Sequence, residues 1–370
     1  LVREFDLGPG GLGFLTSVYF ISFATFQLPL GVFLDRYGPR RTESFLLLFA
    51  TLGALIFSQA DSLVGLILGR LLIGFGVSAC LMAAFKAYVI WFPKERLAFI
   101  NGLQMVAGGA GALAATIPLQ KVLSYADWRN VFLVLSIITF FTALFVWLFL
   151  PDHKTLGGDL PLMKSQFKEI GQVIRSKIFW NVAPIAAISQ GTNLAIHGLW
   201  IKPWLRDVFG INEDIAAQIL FLMTLALIGG FLTLGIISER LSYIFSINPI
   251  KVSVVGMTVF LILQATMVFG NLSSPFLIVI LLGFFGSSSI LVYAGYAQIF
   301  PERLSGRVST ILNLLVFLSA FILQWGVGAI IEMWPSVGEG YAPESYQVAI
   351  GILVLIQILG LAWYFFSKSR

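Results

Sequence analysis

The chain is divided into charge-free runs whose lengths match a lipid bilayer, and nothing else in it constrains the fold as strongly. A helix needs about 20 apolar residues to cross the hydrocarbon core. Leu7–Leu34, Leu97–Gln120, Asn130–Pro151, Ile178–Ile201, Ile215–Ser238, Val308–Ile331 and Ser345–Ser367 contain no Asp, Glu, Lys or Arg. Val252–Pro301 is also free of charge, and the turn-forming stretch Gly270-Asn271-Leu272-Ser273-Ser274-Pro275 divides it into two spans. Ser44–Ala60 reads as a short span, and Leu63–Phe92 as one that holds Arg70 and Lys86. The total is eleven. Strict two-residue alternation is absent, so a membrane β-barrel is not expected. The expected class is an all-α polytopic membrane protein.

Composition excludes other classes. Charged residues are 11% of the 370, and hydrophobic residues 58%. A soluble enzyme, with roughly 25% charged residues, keeps its surface wet in a way this chain cannot. The formal charge of +5 is spread over short, separated loops, so no nucleic-acid partner is expected. Cys80 is the only cysteine, and the two histidines, His153 and His197, lie far apart. No disulfide, metal site or cofactor is expected.

Lys and Arg collect on the cytoplasmic side of membrane proteins. Sixteen of the 23 fall in one set of alternate loops, among them Arg36, Arg40, Arg41, Lys94, Arg96, Arg240, Lys251, Arg303 and Arg307. Five fall in the opposite set: Arg3, Lys121, Arg129, Lys202 and Arg206. The expected topology has a cytoplasmic C-terminus in the cell inner membrane, with Leu1 on the far side.

The two halves repeat. Gly31-Val32-Phe33-Leu34-Asp35-Arg36 ends the first observed span, and Gly235-Ile236-Ile237-Ser238-Glu239-Arg240 ends the seventh. Trp91-Phe92-Pro93 follows the third span, and Ile299-Phe300-Pro301 the ninth. The expected domains are an N-terminal bundle over 1–151 with five spans, a cytoplasmic central loop over 152–177, and a C-terminal bundle over 178–370 with six. Unequal halves suggest that a complete gene product carries one more apolar helix before Leu1.

On these residues the chain resembles the major facilitator superfamily of secondary transporters along essentially its whole length. Gly31-Val32-Phe33-Leu34-Asp35-Arg36-Tyr37-Gly38-Pro39-Arg40-Arg41 matches the signature loop between that family's second and third helices. Arg70-Leu71-Leu72-Ile73-Gly74-Phe75-Gly76 matches the R-x-x-x-G-x-G pattern of its fourth. In this register the absent segment is the family's first helix. The Gly-Pro pair of the antiporter signature is missing, because Ile117 precedes Pro118. The resemblance implies two helical bundles that rock about a midplane site, with Gly31, Asp35, Arg36, Gly38, Arg40 and Arg41 as a gating loop.

Ionisable groups at membrane depth are the strongest functional pointers. Arg70 lies about 10 Å into its span at 1.5 Å per residue. Gln190, Asn193, His197 and Trp200 fall within about 80° of arc, so they read as a polar stripe facing a cavity. Tyr293, Tyr296 and Asn313 are further cavity candidates. Each has a packing alternative, namely interhelical hydrogen bonds within one bundle. No carboxylate is placed mid-membrane, since Glu43 and Glu332 read as span ends. The expected function is secondary active transport of a small organic anion or other small metabolite, by proton-coupled symport and as a monomer. The alternatives are a drug or metabolite exporter of the antiporter kind, and a non-transporting membrane receptor. A membrane-embedded enzyme is not expected, because no catalytic cluster lies at membrane depth.

Overall fold

The computed structural model describes residues 4–151, 163–269, 274–337 and 340–368. Ten helices among them are long and apolar enough to cross a membrane. The first five are α1 (Pro9–Leu34), α2 (Arg36–Ser58), α3 (Leu63–Trp91), α4 (Leu103–Leu123) and α5 (Trp128–Phe149). A shorter amphipathic helix, α6 (Met163–Ile174), follows. Next comes α7, residues 177–209, built from Lys177–Ala195, a π-helical turn Ile196–Trp200 and Ile201–Phe209. It corresponds to the expected span Ile178–Ile201 but is not among the ten. Asn181, Gln190, Thr192, Asn193 and His197 make it less apolar than the others. Then follow α8 (Glu213–Phe245), α9 (Pro249–Phe269), α10 (Phe276–Ile299), α11 (Leu304–Ile331) and α12 (Pro343–Ser367). The one sheet among the described residues is a hairpin of β1 (Ser336–Val337) and β2 (Gly340–Tyr341) before α12.

The turn between α1 and α2 follows from its sequence. Pro39 disfavours helical geometry in the residue before it. Gly38 takes φ 78° and ψ 167°, outside the helical region, which a residue without Cβ tolerates. The Thr42 hydroxyl donates to the Phe33 carbonyl at 3.2 Å and closes the turn. We call this side of the molecule the turn face. The corresponding turn in the second half uses Ser246 at φ 52° instead, with Asn248 Oδ1 accepting from the Ile250 amide at 2.9 Å.

Within each half, helices cross where glycine removes the side chain. A Cβ on Gly53 would lie 2.7 Å from the Gly69 carbonyl oxygen, so α2 and α3 touch backbone to backbone. The same close approach joins α8 and α10 through Gly230 and Gly283. Packing of this kind holds membrane helices together where lipid offers no hydrophobic drive. The second half adds a buried amide pair: Gln357 Nε2 donates to Gln264 Oε1 at 2.9 Å, and Gln264 Nε2 to Gln357 Oε1 at 3.3 Å. Gln264→Leu strands the Gln357 amide and should lower stability by about 1 kcal/mol. Adding Gln357→Leu should recover most of that loss, because both polar groups are then gone. Thermal unfolding of the three variants in detergent checks the pair.

The halves meet along two lines. Helix α1 lies on α11, with Phe23 against Phe317 at 4.1 Å between ring centres and Phe14 against Trp325 at 5.6 Å. Helix α4 meets α8, where Gly109 faces Ile228. On the face opposite the turn, Lys202 Nζ donates to Gln120 Oε1 at 3.1 Å and lies 3.6 Å from Glu213. The Glu332 carboxylate, from the end of α11, sits against Gly8 and Gly10 at the N-terminus of α1, where the helix dipole favours negative charge. Thus α4, α7 and α8 are tied at the opposite face, and α1 is tied to α11.

Candidate functional site

Among the described residues four spans are interrupted: α4, where helix Lys94–Ala114 ends before Ile117–Leu123, and α3, α10 and α7. In α3, helix Leu63–Gly76 ends and a second helix starts at Cys80 after the turn Val77–Ala79. In α10, helix Phe276–Gly286 passes into the 3-10 stretch Ser287–Ile290 before Leu291–Ile299. In α7 the interruption is the π-turn Ile196–Trp200. Those of α3 and α10 are repeat partners: Cys80 precedes Pro93 by thirteen residues, as Ser288 precedes Pro301. An interrupted helix frees backbone groups, which must find partners. Gln27 Nε2 donates to the Ser78 carbonyl at 3.1 Å in the first half, and Ser253 Oγ to the Ser288 carbonyl at 2.8 Å in the second.

Arg70 is half-buried in the first half, above the α3 interruption. Its guanidinium carbon lies 5.2 Å from the Phe57 ring centre and 5.8 Å from that of Phe132. Its Nε is buried without a hydrogen-bond partner. Such a cation is held by ring faces, with its Nε uncommitted.

The second-half candidates separate into two groups. Gln190 and His197 are half-buried on α7. Ser289 Oγ donates to Gln190 Oε1. His197 Nε2 lies 3.0 Å from Thr224 Oγ1, whose own hydroxyl donates to the Leu220 carbonyl at 2.8 Å. That assigns Nε2 as the donor and leaves Nδ1 as an acceptor. Tyr293 donates to Asn313 Oδ1 at 2.5 Å, and both are half-buried.

Asn193 and Trp200 are buried, which corrects the single polar stripe, and so is the separate candidate Tyr296. Asn193 is 3% exposed and packs against Gly286, with its Oδ1 unpartnered. Trp200 donates Nε1–H to the Gln324 carbonyl at 2.9 Å. Tyr296, 1% exposed, donates to the Phe179 carbonyl at 2.6 Å. Two physical causes combine. Asn193 stands about 60° behind Gln190 on a regular helix, and the π-turn then changes the register before Trp200.

In the expected gating loop, a Cβ on Gly31 would fall on the Arg307 guanidinium, so α1 and α11 meet there. Arg36 lies over Tyr37 at 5.4 Å and Arg40 over Trp147 at 5.3 Å. Arg41 is exposed. The side chain of Asp35 lies outside the described residues. Sequence reasoning missed the burial of Glu43. It lies at the span end where the sequence places it, five residues after the non-helical Gly38. Its Oε2 is buried without a partner.

A family model described as Major Facilitator Superfamily matches residues 1–324. The probable nitrate/nitrite antiporter NarK1 of Thermus thermophilus is 25% identical over 260 residues, 65% of this chain and 57% of that protein. The probable sulfoacetate transporter SauU of Cupriavidus necator is 23% identical over 254 residues, 65% of this chain and 59% of that one. In these two alignments the chain spans less than two thirds of the relative's length. The MFS-type transporter YdgK of Bacillus subtilis matches at 24% over 359 residues, 93% and 83% of the two chains. Among solved structures, a bacterial homologue of the human lysosomal transporter Spinster, inward-facing and unoccupied, superposes with a TM-score of 0.73 at 18% identity, covering 100% of this chain and 91% of that one. The nucleoside transporter NupG gives 0.74 at 12% identity, covering 98% and 92%. The family model, the repeated signature and the fold agree: this multi-pass membrane chain belongs to the Major Facilitator Superfamily, a family of transporters and not of enzymes.

Proposed function

We propose that the protein is a secondary active transporter that moves a small anion across the bacterial inner membrane by alternating access, as a proton-coupled symporter. One observation carries the reading: α3 and α10 are interrupted at equivalent positions of the two halves, which in transporters marks the site between them. Arg70, on the first of these helices, supplies the positive charge. A guanidinium suits a carboxylate, sulfonate or nitrate group. The names of the two anion-carrying relatives support the same class. Gln190, His197, Tyr293 and Asn313 border the site from the second half and orient the neutral part of the substrate. In this reading 1–151 and 178–370 rock as units joined by 152–177, and the turn face is cytoplasmic, as is the C-terminus.

The test is counterflow in proteoliposomes. Vesicles preloaded with sulfoacetate or nitrate should accumulate the labelled anion from outside, and unrelated cations or sugars should not compete. Absence of counterflow with either anion, or competition by neutral sugars alone, refutes the anion reading. Reporter fusions that place the Gly38 turn outside the cell refute the orientation.

A further inference from the structure

Helices α2 and α5 close on each other away from the turn face and part toward it. Where they close, the Ser136 hydroxyl donates to the Thr51 carbonyl at 2.9 Å, and Phe57 packs on Phe132 at 4.2 Å between ring centres. Where they part, they enclose a cavity of about 350 Å³. Ser44 and Leu48 line it from α2, and Phe140, Ala143, Leu144 and Trp147 from α5. The α5 residues are spaced three and four apart, so they share one helix face. Leu48, Phe140, Leu144 and Trp147 are exposed, which leaves the cavity open sideways as a groove. No Asp or Glu lines it.

Two polar groups at this groove have atoms without partners. A hydroxyl within a helix commonly donates to a carbonyl three or four residues back. Thr51, Thr139 and Thr142, on the same two helices, do so. Ser44 does not: it is 4% exposed, and its Oγ is buried with no hydrogen bond. One turn nearer the turn face stands Arg40. Its guanidinium carbon lies 5.3 Å from the Trp147 ring centre, which holds the charge beside the groove. Its Nε is buried without a partner.

The order of these groups with depth is that of a phospholipid. Arg40, Ser44 and Leu48 follow one another at four-residue intervals along one face of α2, each about 6 Å deeper than the last. A phosphate accepts from the arginine. An ester carbonyl, one turn deeper, accepts from the serine. An acyl chain fills the apolar part below. Trp147 at the rim is of the residue type that gathers at the headgroup level. An anionic headgroup is favoured because it has no cation of its own to offset the phosphate. In the proposed orientation this end lies in the cytoplasmic leaflet, where anionic lipids reside. We propose that the groove between α2 and α5 binds one anionic phospholipid, with its phosphate on Arg40, an ester carbonyl on Ser44 and an acyl chain against Leu48, Phe140 and Leu144. The site is separate from the substrate pathway, and its occupancy does not depend on what is transported.

The experiment is lipid retention by the full chain. Protein in detergent is mixed with equal amounts of dioleoylphosphatidylglycerol and dioleoylphosphatidylcholine, and the lipids it keeps are counted by native mass spectrometry. The wild type should keep one phosphatidylglycerol with about tenfold preference, the discrimination expected of one charge-assisted hydrogen bond. Arg40→Gln should bring the preference close to one, and Arg40→Lys should keep part of it. Ser44→Ala removes a hydroxyl that has no partner in the fold, so it should fold normally and lower retention of both lipids by roughly threefold to tenfold. Ala143→Leu should lower both as well, by filling the groove. Arg240→Gln, on the turn face of the second half, controls for general surface charge and should leave the preference intact. Equal retention of the two lipids by the wild type overturns the site. So does a preference that survives in Arg40→Gln, or one that Arg240→Gln abolishes equally. Retention that Ser44→Ala and Ala143→Leu both leave unchanged overturns it too.

Discussion

Arg70→Lys is expected to cut anion uptake by roughly 10–100-fold, the loss expected when charge-assisted hydrogen bonds from a guanidinium are removed. The lysine keeps the charge, so a smaller effect would mean that charge alone is read. Its ammonium is a compact point charge with no planar fork, and it stacks less well between Phe57 and Phe132. The rings hold the guanidinium at 5.2 and 5.8 Å, which fixes its plane without using its N–H groups. Phe132→Ala should therefore weaken uptake too, by freeing the arginine to reorient. Initial rates of uptake for the three proteins, normalised to folded protein, decide the matter. Wild-type rates in Arg70→Lys would remove the arginine from the site.

The second large effect concerns folding. Gly76→Val should destabilise the first half by about 3 kcal/mol or more, the upper range for forcing volume into a packed contact. A Cβ at this position would land on the backbone nitrogen and side chain of Ala50. The neighbouring crossings leave no room to retreat: Gly69 lies against Phe57, and Gly74 against the Tyr19 carbonyl. Helices α2 and α3 would have to separate. Gly235→Val is the matched control, because nothing lies within 4 Å of a Cβ there. Size-exclusion profiles and melting temperatures in detergent should show a severe loss for Gly76→Val and little change for Gly235→Val. Equal melting temperatures would contradict the close packing.

The architecture was legible because hydropathy and charge act over whole spans. A run such as Asn130–Pro151 has to be a membrane helix whatever its neighbours do, and Trp128–Phe149 is one. The Gly38-Pro39 turn was readable for a local reason, since proline disfavours a helical residue before it and glycine tolerates the positive φ taken there. The site was less legible. Gln190, Asn193 and His197 lie within one arc, yet a helix between a pathway and a bundle interior shows polar residues to both. Asn193 turned inward to Gly286, which no spacing rule predicts. The π-turn at Ile196–Trp200 contains Gly198, but a single glycine inside a helical run does not announce a π-turn. Glu43 lies at a span edge as its charge suggests, but the burial of its Oε2 was not legible, because what encloses a side chain comes from helices distant in sequence.

The contact between α1 and α11 has a mechanical meaning. Along it stand Gly8, Gly10 and Gly13 near one end, the Phe23–Phe317 pair midway, and Gly31 beside Arg307 near the other. Glycine surfaces lack the interlocking ridges that fix one helix against another. Two such rods, greased by flat rings and pinned at one tip by Glu332, behave as a bearing. They resist being pulled apart, because separation would strand Gln324, whose Nε2 donates to Thr16 at 2.9 Å, yet they offer little friction to rolling. In the proposed rocking cycle this flank would serve as an axle, and bulkier residues along it should slow transport without touching the proposed substrate site.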